Sequence, residues 1–467
     1  MHLMPDTGLL ASSIEYGIVS RSLPLTGKIL RGYLDASGTG LGIGNPNAEF
    51  TPNVSVCALS SDGGTAKIVW GFQSGEVALL SANKAMDLGR AAAKLTRCKV
   101  DDEHGKAVQD AVWCQNNAFV TGALDGRVKL WNATHVKCVW TSDIKHGSLV
   151  ADPCLKVAST ISQGIVVGAM KSGDIVIWTG LDVLHFEDVD QPLQPVIPEI
   201  RIPTPMIAIA EISPHEKNLS HDIMAMHLDH SVPSTLLMLM AYSNNPYFYR
   251  LRIDLQSRSV ESALFGEGSF GPITAIKPSF ADQDGESSFV IVGDQLGCIS
   301  VYDWSASPSF GSFNDKPSSV HPLRKFEAHE DGAVTAITLN SIALVTGSSR
   351  GTIKIWDSMT FTPLRSFPSP GAKPAAGREW DGVGNIILQR DLLIVSVGSR
   401  VMAWKAGLVG NRGQSTWKGK HVKKAKKNGA YKGYREQITP VMLISTHGLF
   451  IRATGALQGY NGVATGT

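Results

Sequence analysis

Two stretches of this chain are near-copies of one another, and that repetition limits the possible folds more than any other feature. Residues 119–132 read FVTGALDGRVKLWN and residues 344–357 read LVTGSSRGTIKIWD. In the first copy, two short apolar strands flank Leu124-Asp125-Gly126, and Asp-Gly is among the strongest hairpin turn signals. Val128 and Leu130 face one side of the second strand, and Lys129 and Trp131 the other, the period-2 alternation of a pleated strand. In the second copy Ile353 and Ile355 match Val128 and Leu130, Trp356 matches Trp131, and Thr346-Gly347 matches Thr121-Gly122. A pattern of this detail recurring within one chain means internal repetition.

Weaker copies surround these two. They lie at residues 68–80, 165–178, 289–303 and 392–404, with a degenerate copy at 235–254 around Asn244-Asn245-Pro246. The marked aromatic or apolar positions are Leu80, Trp131, Trp178, Leu251, Tyr302, Trp356 and Trp404. A preceding strand is expected at 107–113, 273–277 and 333–338, and a following one at 136–141 and 361–367. Four short antiparallel strands repeated about seven times predict an all-β, seven-bladed propeller. On these residues the chain resembles the WD40 (WD-repeat) family over roughly residues 54–405. The blades ending at Trp131 and Trp356 resemble it most.

The resemblance implies a buried hydrogen-bond tetrad, here His104, Thr121, Asp125 and Trp131. Its physical logic is independent of the family: a buried indole N–H needs an acceptor, and a buried imidazole needs a carboxylate to fix its tautomer. The second strong blade keeps His329, Thr346 and Trp356 but has Arg350 where the Asp would stand.

The remaining chain is divided by composition. Residues 1–53 read as an N-terminal extension, with 14–20 expected to supply the outer strand of the last blade and so close the ring. Residues 38–44 (GTGLGIG) lack the Lys-Ser/Thr pair and following helix of a phosphate-binding loop. A short helix is expected at 85–95. The proline-rich insertion at 182–222 carries a candidate edge strand at 197–202. Residues 305–322 are Ser/Pro-rich and read as a surface loop with Ser-Pro sites for phosphorylation, and 366–382 form a further Pro/Gly loop. Residues 406–467 read as a disordered basic tail, although 441–445 and 449–452 have strand composition. Lys418, Lys420, Lys423, Lys424, Lys426 and Lys427 resemble an import signal or a nucleic-acid contact, with Trp417, Tyr431 and Tyr434 interleaved for base stacking.

Net charge is only +2 over 467 residues, so any nucleic-acid role must be local. Six cysteines stand apart, with no CxxC pair and no zinc spacing. The longest apolar run, 236–242, is far too short to span a bilayer, and the N-terminus does not read as a signal peptide. Those features place the chain in the cytoplasm or nucleus, without membrane partner, metal or cofactor. HExxH, GxSxG and GxxxxGK[ST] are absent, and no catalytic residue or small-molecule substrate is assigned.

Function is therefore expected on surface loops. The resemblance places the turns between second and third strands on one face of the ring, the top. Around the ring they read Gln73-Ser74, Asp125, Lys171, Gln295, Arg350 and Arg400. Three bases favour an acidic or phosphorylated peptide. The expectation is a non-enzymatic protein-interaction scaffold, narrowed to the substrate-receptor propeller of a cullin-type ubiquitin ligase, although no F-box-like module is visible in residues 1–53. The alternative is a nuclear RNA-associated or ribosome-assembly scaffold using the basic tail.

Overall fold

The computed structural model describes residues 1–5, 8–26, 28–38, 53–83, 93–114, 117–143, 151–181, 197–204, 222–231, 235–281, 287–307, 319–369, 380–405 and 439–445. These residues form eight four-stranded sheets. Within each sheet consecutive strands pair antiparallel in chain order, so every sheet is a simple meander. The blades span 2–35, 54–97, 108–141, 154–202, 223–266, 273–327, 334–367 and 383–445, numbered 1 to 8 below. The described residues include no α-helix, and single 3-10 turns occur at Val100–Asp102 and Ile161–Gln163.

Blade 3 shows how the repeat builds a sheet. Phe119 pairs with Trp131, Val120 with Leu130 and Gly122 with Val128. The pleat then sends alternate residues to opposite seams. Val128 and Leu130 pack toward blade 4 with Val157, Val166 and Trp178. Phe119 and Trp131 pack toward blade 2 with Val69, Val77 and Leu79. The same rule holds around the molecule, and each of the eight seams between neighbouring blades has its own apolar cluster. All seven marked positions are buried. A sheet with two faces needs apolar cover on both, and only a neighbour on each side supplies it.

The ring has eight blades where the repeat count gave seven. Residues 14–20 do not join the last blade. They form a turn and the start of Ile18–Leu23, the third strand of blade 1, which is built wholly from residues 2–35. The outer strand of blade 8 is Thr439–Ser445, paired with Arg400–Lys405, so part of the expected tail belongs to the ring. Among the described residues closure consequently uses no shared strand. Blades 1 and 8 meet through side chains, with Leu9 and Ala11 against Leu392, Ile394, Val401 and Ala403.

Blade 1 escaped the repeat count for a physical reason. In its register Leu10 pairs with Arg21 and Leu9 with Ser22, so Arg21 stands at the Leu130 position and Ser22 at the Trp131 position. Both are buried, and Arg21 donates to the carbonyls of Gly64 (2.9 Å) and Asn83 (3.3 Å) in blade 2. A polar pair thus occupies the two sites by which the repeat is recognised.

The edge strand expected at 197–202 is present as Glu199–Ile202, the outer strand of blade 4. At 85–95, residues 84–92 lie outside the described residues, and Ala93–Arg97 is the outer strand of blade 2 rather than helix. Residues 39–52, 182–196, 205–221, 308–318, 370–379, 406–438 and 446–467 also lie outside them. The basic residues Lys418 to Lys427 and their aromatic neighbours fall in that part of the chain.

Candidate protein-binding face and the side chains beneath it

In blade 3 the Trp131 indole N–H donates to Thr121 Oγ1 (2.8 Å), and Thr121 Oγ1 lies 2.7 Å from His104 Nε2. His104 Nδ1 stands 3.5 Å from Asp125 Oδ1, an ionic contact at the outer limit of hydrogen bonding. The carboxylate assigns the tautomer: with Asp125 beside Nδ1 the imidazole proton sits on Nδ1, and the Thr121 hydroxyl, which accepts from Trp131, donates to Nε2. Asp125 also accepts the backbone N–H of Gly105 (2.8 Å) and Arg127 (3.0 Å). Burial holds His104 below its ordinary pKa, against the opposing pull of Asp125. Burial would by itself raise Asp125, but its contact with His104 and the two N–H bonds outweigh that and keep it low. A neutral imidazole therefore bridges an aromatic core to a charged turn.

Blade 7 repeats the inner part. Trp356 donates to Thr346 Oγ1 (3.0 Å), which lies 2.8 Å from His329 Nε2. The turn position that holds Asp125 in blade 3 is Arg350 here. Asp331, two residues after the histidine, takes the place, with Oδ1 3.6 Å from His329 Nδ1. Its other oxygen accepts the hydroxyls of Thr352 (2.6 Å) and Ser348 (3.1 Å). Burial lowers His329 to about 4, with Asp331 opposing. A His-x-Asp spacing at 329–331 was the available signal for this residue.

These histidines also fix which loops share a face. Gly75, in the turn of blade 2, has φ +97°, and a Cβ there would run into the carbonyl oxygen of His104. Gly297 of blade 6 has φ +83° and meets His329 in the same way. Only glycine combines that backbone with that approach. The turn of each of these blades is thereby seated on the loop that opens the next, and together they make the top face.

The expected binding residues are distributed over this face. Lys171, Gln295 and Arg350 are exposed, and Arg400 is half-buried at the start of its strand. The backbone N–H of Lys171 donates to Pro153, that of Gln295 to Pro272, and that of Arg350 to Ser348 Oγ. Acidic groups are interspersed: Asp152 accepts from Ser172 beside Lys171, and Asp331 and Asp381 lie in the loops against the turn carrying Arg350. The face is of mixed charge rather than basic.

One sector is distinguished by composition. Leu296 is 63% exposed beside Gln295. Gly271, next to Phe270, packs on Leu296, and Lys325 Nζ sits 3.3 Å above the Phe270 ring. Arg350 Cζ lies over the Trp380 ring, 5.9 Å from its centroid, a cation–π contact. The loop at 329–332 connects the two turns, since Gly297 packs on His329 and Gly332 on Ser349 and Arg350. Leu296, Phe270 and Trp380 had no signal in the repeat pattern, because they lie in its variable loops.

Comparison with known proteins agrees with this architecture. The family model "WD domain, G-beta repeat" (WD40) matches residues 96–132 and 320–357, the two blades carrying the histidine networks. No curated protein sequence matches this chain. The chain is similar in fold to the crystal structure of the computationally designed Ika8 protein, at 17% identity and a TM-score of 0.54, covering 85% of this chain and 93% of that one. With its matched repeats set in a ring of eight four-stranded blades, the chain is a β-propeller carrying WD40 repeats.

Proposed function

We propose that this protein is an interaction scaffold whose top face, in the sector of blades 6 to 8, holds a protein segment bearing a carboxylate or phosphate beside an apolar side chain. A WD40 propeller is a protein-interaction fold, and the proposal narrows that to one surface and one partner chemistry. The observation carrying it is the cation–π contact of Arg350 with Trp380 in the same sector as the exposed Leu296. Tryptophan and arginine are enriched among binding hot spots. Arg350 supplies charge-assisted donors for an anionic oxygen, and Leu296 supplies area whose burial favours association.

The test is affinity capture with the full chain, with Leu296→Ser/Arg350→Ser, and with an internal deletion of 412–436 that spares Thr439–Ser445. Loss of the captured proteins with the double variant and retention with the deletion support the top-face reading. Capture of RNA lost only on the deletion, with proteins unaffected by the double variant, supports the RNA-associated alternative instead. Cullin-ligase subunits among the proteins retained would support the narrower receptor reading.

A further inference from the structure

The seam between blades 5 and 6 departs from the others. Part of it is apolar, with Leu239, Phe248 and Phe265 against Ile273, Val290 and Tyr302. Beside this cluster it opens into a cleft of about 1000 Å³. Arg250, on the blade-5 wall, pairs with Leu239 and so stands at the position of Leu130 in blade 3. Blade 1 has Arg21 at that position, sealed by two backbone carbonyls. Arg250 instead lines the cleft. Its guanidinium lies beside the stacked pair of Phe265 and Trp304, 5.5 Å and 5.7 Å from their ring centroids, and donates to the Trp304 carbonyl. A guanidinium has five N–H donors, and that carbonyl satisfies one. Arg252, two residues on and on the same strand face, adds a second cation, 60% exposed at its side chain and 3.9 Å from Glu261.

The opposite wall is supplied by blade 6 and ends in Ser305 and Ser307. Ser307 is exposed and is followed in sequence by Pro308, one of the Ser-Pro sites of the Ser/Pro-rich stretch. The cleft also contains carboxylates, but two are committed. Asp229 accepts the Trp304 indole N–H (2.8 Å) and the Ser231 N–H (3.0 Å), and Asp303 accepts the N–H (2.9 Å) and hydroxyl (2.6 Å) of Ser305. Glu261 lies at the outer rim, with its side chain 74% exposed.

We propose that Ser307 is a phosphorylation site whose phosphate is received in this cleft by Arg250 and Arg252, clamping blade 6 to blade 5. The modifying enzyme is a proline-directed protein kinase using a nucleoside triphosphate. The bond from the γ-phosphorus to the nucleoside diphosphate breaks as a bond to Ser307 Oγ forms, and the hydroxyl proton passes to the kinase's general base. The product is a group of charge about −1.5 to −2 with three acceptor oxygens, suited to forked guanidinium donors.

The test uses the full chain. A proline-directed kinase with ATP and magnesium should place phosphate on Ser307 of the folded protein, read by mass spectrometry, and Ser307→Ala should remove it. Phosphorus NMR of the modified protein should then show the phosphate titrating about half a unit or more below the same protein unfolded in urea, where the second pKa is about 6. Arg252→Gln, at an exposed position where folding is safe, should reduce that shift, and Arg250→Gln should abolish it. Failure of the kinase to modify folded protein while it modifies the unfolded chain would overturn the proposal. So would a phosphate titrating as in urea, or one shifted upward, since Asp229, Glu261 and Asp303 would then dominate the cleft.

Discussion

Blades 3 and 7 bury the same three residue types in the same geometry and differ only in the origin of the carboxylate. In blade 3 it is Asp125, on the turn between the second and third strands, which also caps two backbone N–H groups. In blade 7 it is Asp331, on the loop that opens the blade, which binds two hydroxyls of that turn instead. The imidazole meets an acidic oxygen at 3.5 Å in one and 3.6 Å in the other. What the architecture requires is a carboxylate beside Nδ1 and a satisfied turn. Either flank can supply both, and Arg350 of blade 7 is thereby released to the surface.

The comparison can be broken most forcefully at its shared centre. Trp131 is fully buried and Trp356 nearly so, and each replaced by alanine should cost about 3–5 kcal/mol in denaturant unfolding, as for other large core truncations. If Trp131→Ala melts like the parent, the network is not part of the core.

Acid comes next. A histidine whose folded pKa lies below its unfolded value of about 6.5 binds fewer protons folded than unfolded, so stability falls as pH falls. For His329, lowered to about 4, the loss should begin near pH 6.5, reach about 3 kcal/mol near pH 4 and then level off. His104 shifts in the same direction and adds to the effect. Denaturant midpoints measured from pH 7 to 4 should fall, and His329→Gln should flatten the curve.

Smaller effects sharpen the difference between the blades. Asp125→Ala and Asp331→Ala should each cost about 1–3 kcal/mol, because each leaves buried donors without an acceptor. Arg350→Asp should recover part of the loss in the Asp331→Ala background, by restoring the blade-3 arrangement. The mildest change is Lys171→Ser/Arg350→Ser/Arg400→Ser, expected to alter stability by no more than about 0.5 kcal/mol per site while weakening partner capture.

The same contrast explains what the sequence makes legible. Period-2 alternation and the Asp-Gly turn show blade 3 directly, and the buried marked positions from Leu80 to Trp404 follow from it. Blade 1 is hidden because Arg21 and Ser22 replace the two residues that mark the repeat, and a buried arginine bonded to backbone carbonyls looks like a surface residue in sequence. The outer strand of blade 8 is hidden because 33 residues separate Lys405 from Thr439. Asp331 is hidden because it reaches the imidazole from the other flank. Leu296, Phe270 and Trp380 lie in loops, where periodicity carries no information.

The central claim is a ring of eight blades whose first and last meet through side chains, and the seam between blades 1 and 8 tests it most directly. Leu9 and Ile394 are both fully buried in the apolar cluster there. A double-mutant cycle of Leu9→Ala and Ile394→Ala in denaturant unfolding is the measurement. Each single variant should cost about 2–5 kcal/mol, with a coupling of at least about 0.5 kcal/mol between them. A Leu9→Ala variant as stable as the parent, or strictly additive losses, would contradict a ring closed at this seam.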